Sequence, residues 1–305
     1  MPAERPVAVT IGVFDGLHRG HRAVIDATVA AARARGGIAW VVTFDPHPDT
    51  VVRGVEDRAW LTPPEERAEI LHSWGVDRVV VVRFDRSVMA LSPEEFLDRV
   101  LGPGAPLKAL IMGPDFRMGR GRVGDRAYLT ALGEARGFTV SEVPFLLADG
   151  GKISSTMLRK RVESGEVDRA AEMLGRPYAL RGRVGSGAGR GARLGYPTAN
   201  LETHPLKLLP ASGIYLSNNE LDGVEYHGMT YVGSAGTFGP GPMRVEVHLL
   251  DFAGSLRGSV IATRLIRRIR ADRAFESAEA LVKAMDGDLA AARSYWGLAA
   301  PPPRG

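Results

Sequence analysis

Near residue 180 the hydrophobic pattern of this 305-residue chain changes kind. Before that point short Val- and Ile-rich runs alternate with segments of helical spacing: Val7 to Phe14, Ile38 to Phe44, Arg78 to Phe84, Leu107 to Met112 and Phe138 to Val143 read as strands. Such alternation calls for a parallel sheet with helices on both faces. After it, short apolar runs are separated by Gly and Pro: Arg181 to Val184, Gly213 to Leu216, Met229 to Val232, Val245 to Leu250 and Ser259 to Ile266. That spacing suggests an antiparallel barrel or sandwich. The expectation is two domains, residues 1–180 and 181–305.

Helix signals fill the gaps. An Ala-rich stretch runs from Arg22 to Arg35, and Pro63-Pro64-Glu65-Glu66 and Ser92-Pro93-Glu94-Glu95 put Pro and acids in a first turn. Ser154 to Ser164 and Val167 to Leu174 precede the change of pattern. An amphipathic segment, Ser277 to Trp296, closes the chain with Ala280, Leu281, Ala284, Leu289 and Ala292 at helical spacing.

Composition narrows the function classes. The chain is 45% hydrophobic and 24% charged, enough to bury a sizeable core, and it has no cysteine. Disulfides, thiolate metal ligands and a cysteine nucleophile are excluded. The first residues lack the regions of a signal peptide and no apolar stretch approaches the roughly 20 residues of a membrane helix, so a cytoplasmic protein without a membrane segment is expected. A formal charge of +4 with acids spread among the bases does not specify nucleic acid. The most basic run, Arg264 to Arg273, reads as a strand or helix with one solvated face. Self-association is not readable from this pattern.

Two short stretches carry chemistry. The first is Gly12-Val13-Phe14-Asp15-Gly16-Leu17-His18-Arg19-Gly20-His21, on a strand-to-helix turn. There His18 and His21 lie where unpaired backbone N–H groups favour an anion, with Gly12, Phe14, Gly16 and Gly20 as candidate nucleotide contacts. The alternatives are a metal pair lacking its third ligand and surface histidines on a turn. Thr43-Phe44-Asp45-Pro46-His47-Pro48 ends the second strand, placing His47 at the edge where ligands collect in parallel sheets. Ile153-Ser154-Ser155-Thr156-Met157-Leu158-Arg159 opens a late helix with hydroxyls at its cap and an Arg one turn in, suited to gripping phosphates.

The second stretch runs from Gly182 through Gly187-Ala188-Gly189-Arg190-Gly191-Ala192 to Gly195-Tyr196-Pro197-Thr198-Ala199-Asn200. The glycines fit a dinucleotide fingerprint, but no helix follows them, and a flexible Gly-rich loop is the simpler reading. Glu246, in Arg244-Val245-Glu246-Val247-His248-Leu249, is by itself a carboxylate alternating with Val on a strand.

The order and spacing of these pieces, with the Gly113-Pro114-Asp115-Phe116-Arg117-Met118-Gly119 loop after the fourth strand, resemble the prokaryotic bifunctional riboflavin kinase/FAD synthetase family over roughly residues 7 to 296. The resemblance implies a Rossmann-like α/β nucleotidyltransferase domain followed by a six-stranded antiparallel Greek-key β-barrel with a C-terminal helix. It implies FMN adenylylation by ATP in the first half, with His18 and His21 stabilising the triphosphate and Arg159 with Ser154 holding the leaving pyrophosphate. Ser155 and Thr156 join the nucleotide contacts, and Phe44, His47, Asp115 and Phe116 the flavin side. Pro197-Thr198-Ala199-Asn200 resembles the motif of riboflavin kinases. That likeness implies backbone approach to phosphates at Gly182, Gly187 and Gly195, Mg2+ held by Thr198 and Asn200, and Glu246 accepting the proton of the ribityl 5′-hydroxyl. ATP, FMN and riboflavin are the implied partners. The chain departs from the family pattern at Tyr231, Gly236 and Arg257, which predicts phosphorylation weaker than adenylylation. The rival readings are a divergent paralogue with another alcohol or phosphate acceptor, and a non-catalytic flavin-binding protein.

Overall fold

The structure, a computed structural model, describes residues 5–55, 58–102, 104–148, 151–185, 195–234 and 243–299. Contacts divide the chain into two compact units, Met1–Ser155 and Thr156–Gly305.

In the first unit five strands, β1 (Val7–Ile11), β2 (Ile38–Asp45), β3 (Arg78–Arg83), β4 (Leu107–Met112) and β5 (Thr139–Glu142), form a parallel sheet in the order β3-β2-β1-β4-β5. All five expected runs are strands. Alternation along the central strands explains the layering. Val7, Val9 and Ile11 face one layer with Trp40, Val42, Phe44, Leu110 and Met112. Helices α5 (Pro93–Leu101) and α6 (Arg126–Arg136) cover that layer with Phe96, Leu97 and Leu129. Ala8 faces the other way, in register with Ala39 and Ala109, and this row of small side chains lies where α1 (Arg19–Arg33) packs Val24 and Ala32. The short helices α2 (Pro48–Arg53) and α4 (Arg86–Met89) and the longer α3 (Pro64–Ser73) complete the connections. The start of α5 is a capping box, with Ser92 Oγ accepting from Glu95 N–H at 3.2 Å and Glu95 Oε2 from Ser92 N–H at 2.7 Å. A small hairpin, β6 (Leu147–Ala148) with β7 (Gly151–Lys152), was not legible in the sequence.

The second unit holds α7 (Ser155–Glu163, whose first residue belongs to the first unit), α8 (Val167–Leu174) and the strands β8 (Tyr178–Val184), β9 (Ala199–Thr203), β10 (Gly213–Leu221), β11 (Val224–Gly233), β12 (Arg244–Leu249) and β13 (Val260–Ala271). The strands close into an antiparallel barrel in the order β10-β11-β12-β9-β8-β13, and α9 (Ala278–Trp296) ends the described chain. β9 and β10 are consecutive but not neighbours, so their connection is not a hairpin, as in a Greek key. The basic run lies largely on β13. The sequence divides the domains near residue 180, whereas contacts divide the units at 155/156. The cause is α8, whose apolar side (Val167, Ala170, Met173 and Leu174) is buried and which packs on β8 and β13. The strand missed by the sequence is β9, Ala-Asn-Leu-Glu-Thr, where polar residues alternate with buried Ala199 and Leu201. Buried Ser217, Thr230 and Thr263 join their hydroxyls at 2.9 Å in a polar network inside the barrel.

Candidate functional site

The first candidate site is the turn between β1 and α1. It is a tight turn, with positive φ at Phe14 (51°), Gly16 (86°) and Leu17 (47°). Two of these are non-glycine residues held in the left-handed region, a costly conformation that neighbours must enforce. They do so from three directions. Thr43 Oγ1 donates to Val13 O at 2.9 Å, Asp15 Oδ1 accepts from Thr62 N–H at 3.0 Å, and Ser155 Oγ donates to Asp15 O at 2.8 Å.

His18 caps α1, accepting at Nδ1 from His21 N–H at 3.2 Å. An acceptor Nδ1 carries no proton, so the ring's donor is Nε2–H. His21 stacks on His18 with centroids 3.6 Å apart and planes at 15°, and Phe14 meets His21 edge-on at 5.2 Å. The two imidazoles are one packed unit at a helix N-terminus; His18 is buried, and the surface-histidine reading is set aside. A Cβ on Gly20 would lie 3.1 Å from the His18 ring, so a side chain there would press on the cap. Gly12 leaves similar room for the Phe14 ring. No cluster of three or more His, Cys, Asp or Glu suited to a metal occurs among the described residues.

Beneath the turn lies a residue to which the sequence reading assigned no role. Arg67, on α3, has no exposed surface; its Nη1 donates to Val13 O at 2.7 Å and Thr43 Oγ1 at 2.6 Å, and Trp60 covers its guanidinium at 4.4 Å. Burial pushes its pKa down to about 10 while Asp15, Asp45 and Glu65 draw it up, so it stays cationic at neutral pH. In Pro-Pro-Glu-Glu-Arg it reads as one more solvated helix residue; only its place one turn into α3, on the face toward the sheet, could have marked it.

The remaining candidates of the first half are spread out. His47 caps α2, its Nδ1 accepting from Asp49 N–H at 3.1 Å, beside Trp60. Phe44 is engaged in the core, 5.4 Å from the Phe84 ring and 6.0 Å from Phe96. Phe116 packs partly buried against the same core, while exposed Asp115 pairs with Lys152. Ser154 precedes α7, Thr156 is on its first turn, and Arg159 follows Ser155 by one turn.

The second candidate site lies on the barrel. Glu246 of β12 is in register with Asn200 of β9 on one side and Tyr231 of β11 on the other, so the three side chains share a face. Thr198 Oγ1 donates to Glu246 Oε2 at 3.1 Å. Two residues along the same face, His248 Nδ1 lies 2.8 Å from Pro197 O, and buried Tyr196 donates its hydroxyl to Asp286 Oδ1 at 2.6 Å. Tyr231 donates to Asp272 Oδ2 at 2.9 Å. The strand pairing thus assembles Thr198, Asn200 and Glu246, whose extremes, Thr198 and Glu246, stand 48 residues apart in sequence. Gly182 answers to sheet packing, since a Cβ there would fall 2.2 Å from Glu202 O, and Gly195 has φ 83° just ahead of the motif. Gly187 and Gly236 lie outside the described residues. Arg257 N–H reaches Ser255 Oγ at 3.4 Å in the turn before β13.

Comparison with known proteins follows the same division. The FAD synthetase family model matches residues 1–157 and the riboflavin kinase model residues 174–296. The bifunctional riboflavin kinase/FMN adenylyltransferase of Pseudomonas fluorescens is 36% identical, over 98% of this chain and 95% of that protein. The protein of the same name from Escherichia coli (strain K12) is 35% identical over 96% and 94%, and that from Bacillus subtilis (strain 168) 31% over 94% and 92%. A crystal structure named a macrolide-efflux protein, from Streptococcus pneumoniae, aligns with TM-score 0.86 and 29% identity over 96% of this chain and 95% of that one. No helix among the described residues is long and apolar enough to cross a membrane. With two family models in the expected order and relatives above 30% identity along nearly the whole length, the chain belongs to the bifunctional riboflavin kinase/FMN adenylyltransferase family.

Proposed function

We propose that this chain makes FMN from riboflavin and ATP in the barrel unit, and FAD and pyrophosphate from FMN and ATP at the β1–α1 turn, as a cytoplasmic enzyme using Mg2+. The observation that carries the reading is the barrel row: Thr198 bonded to Glu246, with Asn200 in register beside it. A flavin-binding protein without turnover has no need of a carboxylate poised among hydroxyl and amide oxygens.

For adenylylation, a phosphate oxygen of FMN attacks the α-phosphorus of ATP and the bond to the β-phosphate breaks. His18 and His21 stabilise the charge that builds on the triphosphate, in a turn preorganised by Arg67, Thr43 and Asp15. Arg159 and Ser154 hold the departing pyrophosphate, Arg by bidentate pairing. The donor of Ser155 is spent on Asp15 O, so Ser155 shapes the turn and offers phosphate only its backbone.

For phosphorylation, Glu246 accepts the proton of the 5′-hydroxyl as that oxygen attacks the γ-phosphorus. The donor set fits magnesium: neutral oxygens of Thr198 and Asn200 next to a carboxylate are hard ligands that leave room for phosphate oxygens. Magnesium bound there supplies charge neutralisation on the transferred phosphoryl group. The Thr198–Glu246 bond keeps the carboxylate turned toward the motif.

One observation favours a second reading, a kinase with an altered acceptor: Tyr231, where relatives of this family usually carry Asn, stands in register with Glu246 and is tied to Asp272. Purified protein with Mg-ATP and either riboflavin or FMN, followed by chromatography, separates these readings. FMN from riboflavin and FAD from FMN are expected. FAD formation without riboflavin turnover supports the altered acceptor, and neither product contradicts the proposal.

A further inference from the structure

Strand β12 grips the Pro197–Asn200 segment, which leads into β9, at three points. Backbone pairing sets Glu246 opposite Asn200, the Glu246 carboxylate accepts from Thr198 Oγ1, and His248 reaches the carbonyl of Pro197 at 2.8 Å. A carbonyl only accepts, so His248 holds its proton on Nδ1 and donates it. Glu246 and His248 are two residues apart and therefore emerge on one face of the strand. The first two grips involve groups that the phosphoryl-transfer reading assigns to the reaction; the third does not, and it fixes the residue immediately before Thr198.

We propose that His248 is a positioning residue of the kinase site, whose Nδ1–H holds the Pro197 carbonyl so that Thr198 and Asn200 face the Mg-nucleotide. The inference rests on the kinase reading above. His248 does not touch the reacting atoms; it acts through the Pro197–Asn200 segment. Burial pushes its imidazole below the usual histidine range, against the opposing pull of the Pro197 carbonyl and Asp251, and the neutral ring keeps one proton, committed to that carbonyl. The buried ring of Tyr196 meets His248 at 6.1 Å and 69°, an edge contact that also orients the imidazole.

Two substitutions separate a hydrogen-bonding role from a packing role. In His248→Asn the amide nitrogen takes the place of Nδ1 and keeps the donor while the ring is lost. In His248→Phe the ring and its contact with Tyr196 remain and the donor is lost. Each variant and the parent are assayed on the same preparation for riboflavin phosphorylation, for its dependence on Mg-ATP, and for FMN adenylylation. His248→Phe is expected to lower kcat for phosphorylation on the order of 10²-fold, the scale of a misplaced catalytic group, and to raise the Mg-ATP KM. His248→Asn is expected to stay within about 5-fold of the parent, and adenylylation is expected to be unchanged in both. Phosphorylation retained in Phe, or lost as fully in Asn as in Phe, overturns the inference. Amide hydrogen exchange of residues 196–200 is read in parallel, with faster exchange expected in Phe alone. A parent that forms FAD but never turns over riboflavin overturns the kinase reading instead, and exchange then decides the anchor by itself: unchanged protection in Phe sinks it.

Discussion

Arg67 shows how a site can depend on a residue that never meets the substrate. Its guanidinium sits with no exposed surface under the β1–α1 turn and satisfies the Val13 carbonyl and the Thr43 hydroxyl. Arg67→Met removes a charged donor from both, leaving the Val13 carbonyl with the Thr43 hydroxyl alone and that hydroxyl with no donor to it, a loss of about 2 kcal/mol. The expected result is a lower midpoint of denaturant unfolding for the first unit together with slower FAD formation; a variant as stable and as active as the parent contradicts the assigned support. His21 belongs to the opposite class. Half-buried, it stacks on His18 and bears no backbone of the turn, so His21→Ala is expected to leave folding intact and to cut adenylylation on the order of 10²-fold or more, with phosphorylation unchanged. Arg159→Lys tests the polyphosphate grip: a point charge for a fork should weaken both Mg-ATP affinity and adenylylation, and equal values in both proteins count against it.

At the scale of elements, one surface carboxylate makes a pH prediction with a definite sign. Asp77 precedes β3, accepts from Arg33 of α1 at 2.8 Å and from Ala39 N–H of β2 at 2.7 Å. Its partial burial raises its pKa, but the Arg33 and Ala39 hydrogen bonds and the guanidinium charge outweigh that and hold it below the usual carboxylate value. A depressed carboxyl contributes stability that is full above its unfolded pKa, about 4, and is lost as pH falls through the folded value. Asp77→Asn should therefore be less stable than the parent at pH 7 by about 1 kcal/mol, and the difference should shrink below pH 4 or so. A constant difference across that range removes the ionic part of the argument. Elements of regular pattern were legible in the sequence: the five parallel strands, the helix start at Ser92, and the helices expected over Val167 to Leu174 and Ser277 to Trp296. β9 was not, because its Asn200 and Glu202 interrupt the apolar signal; the site motif itself is the strand. The residues His18, His21, Thr198, Asn200 and Glu246 could be named from sequence by family likeness, while Arg67, Thr43 and His248 could not. Their contribution depends on which carbonyl they meet far along the chain, Arg67 and Thr43 meeting that of Val13 across 54 and 30 positions and His248 that of Pro197 across 51, and local patterning carries no record of that.

For the molecule as a whole, the family models and the contact units agree that two modules share the chain, and α7 with α8 lies where they are joined in sequence. A fragment ending near residue 182 keeps the β1–α1 turn, Ser154, Ser155 and Arg159 but strips the buried side of α8 of β13. It is expected to adenylylate FMN and to unfold more readily than the full chain, because exposing Val167, Ala170, Met173 and Leu174 forfeits their burial. A folded fragment without that activity contradicts the independence of the modules. The most direct test of two separable sites is one chromatographic time course with riboflavin and Mg-ATP, run on the parent, His21→Ala and Glu246→Gln, with FMN supplied in a parallel arm. The account predicts FMN and then FAD from the parent, FMN accumulating without FAD in His21→Ala, and in Glu246→Gln no product from riboflavin but FAD from FMN. Loss of both steps together in either folded variant, or riboflavin turnover in Glu246→Gln at the parent rate, would contradict it.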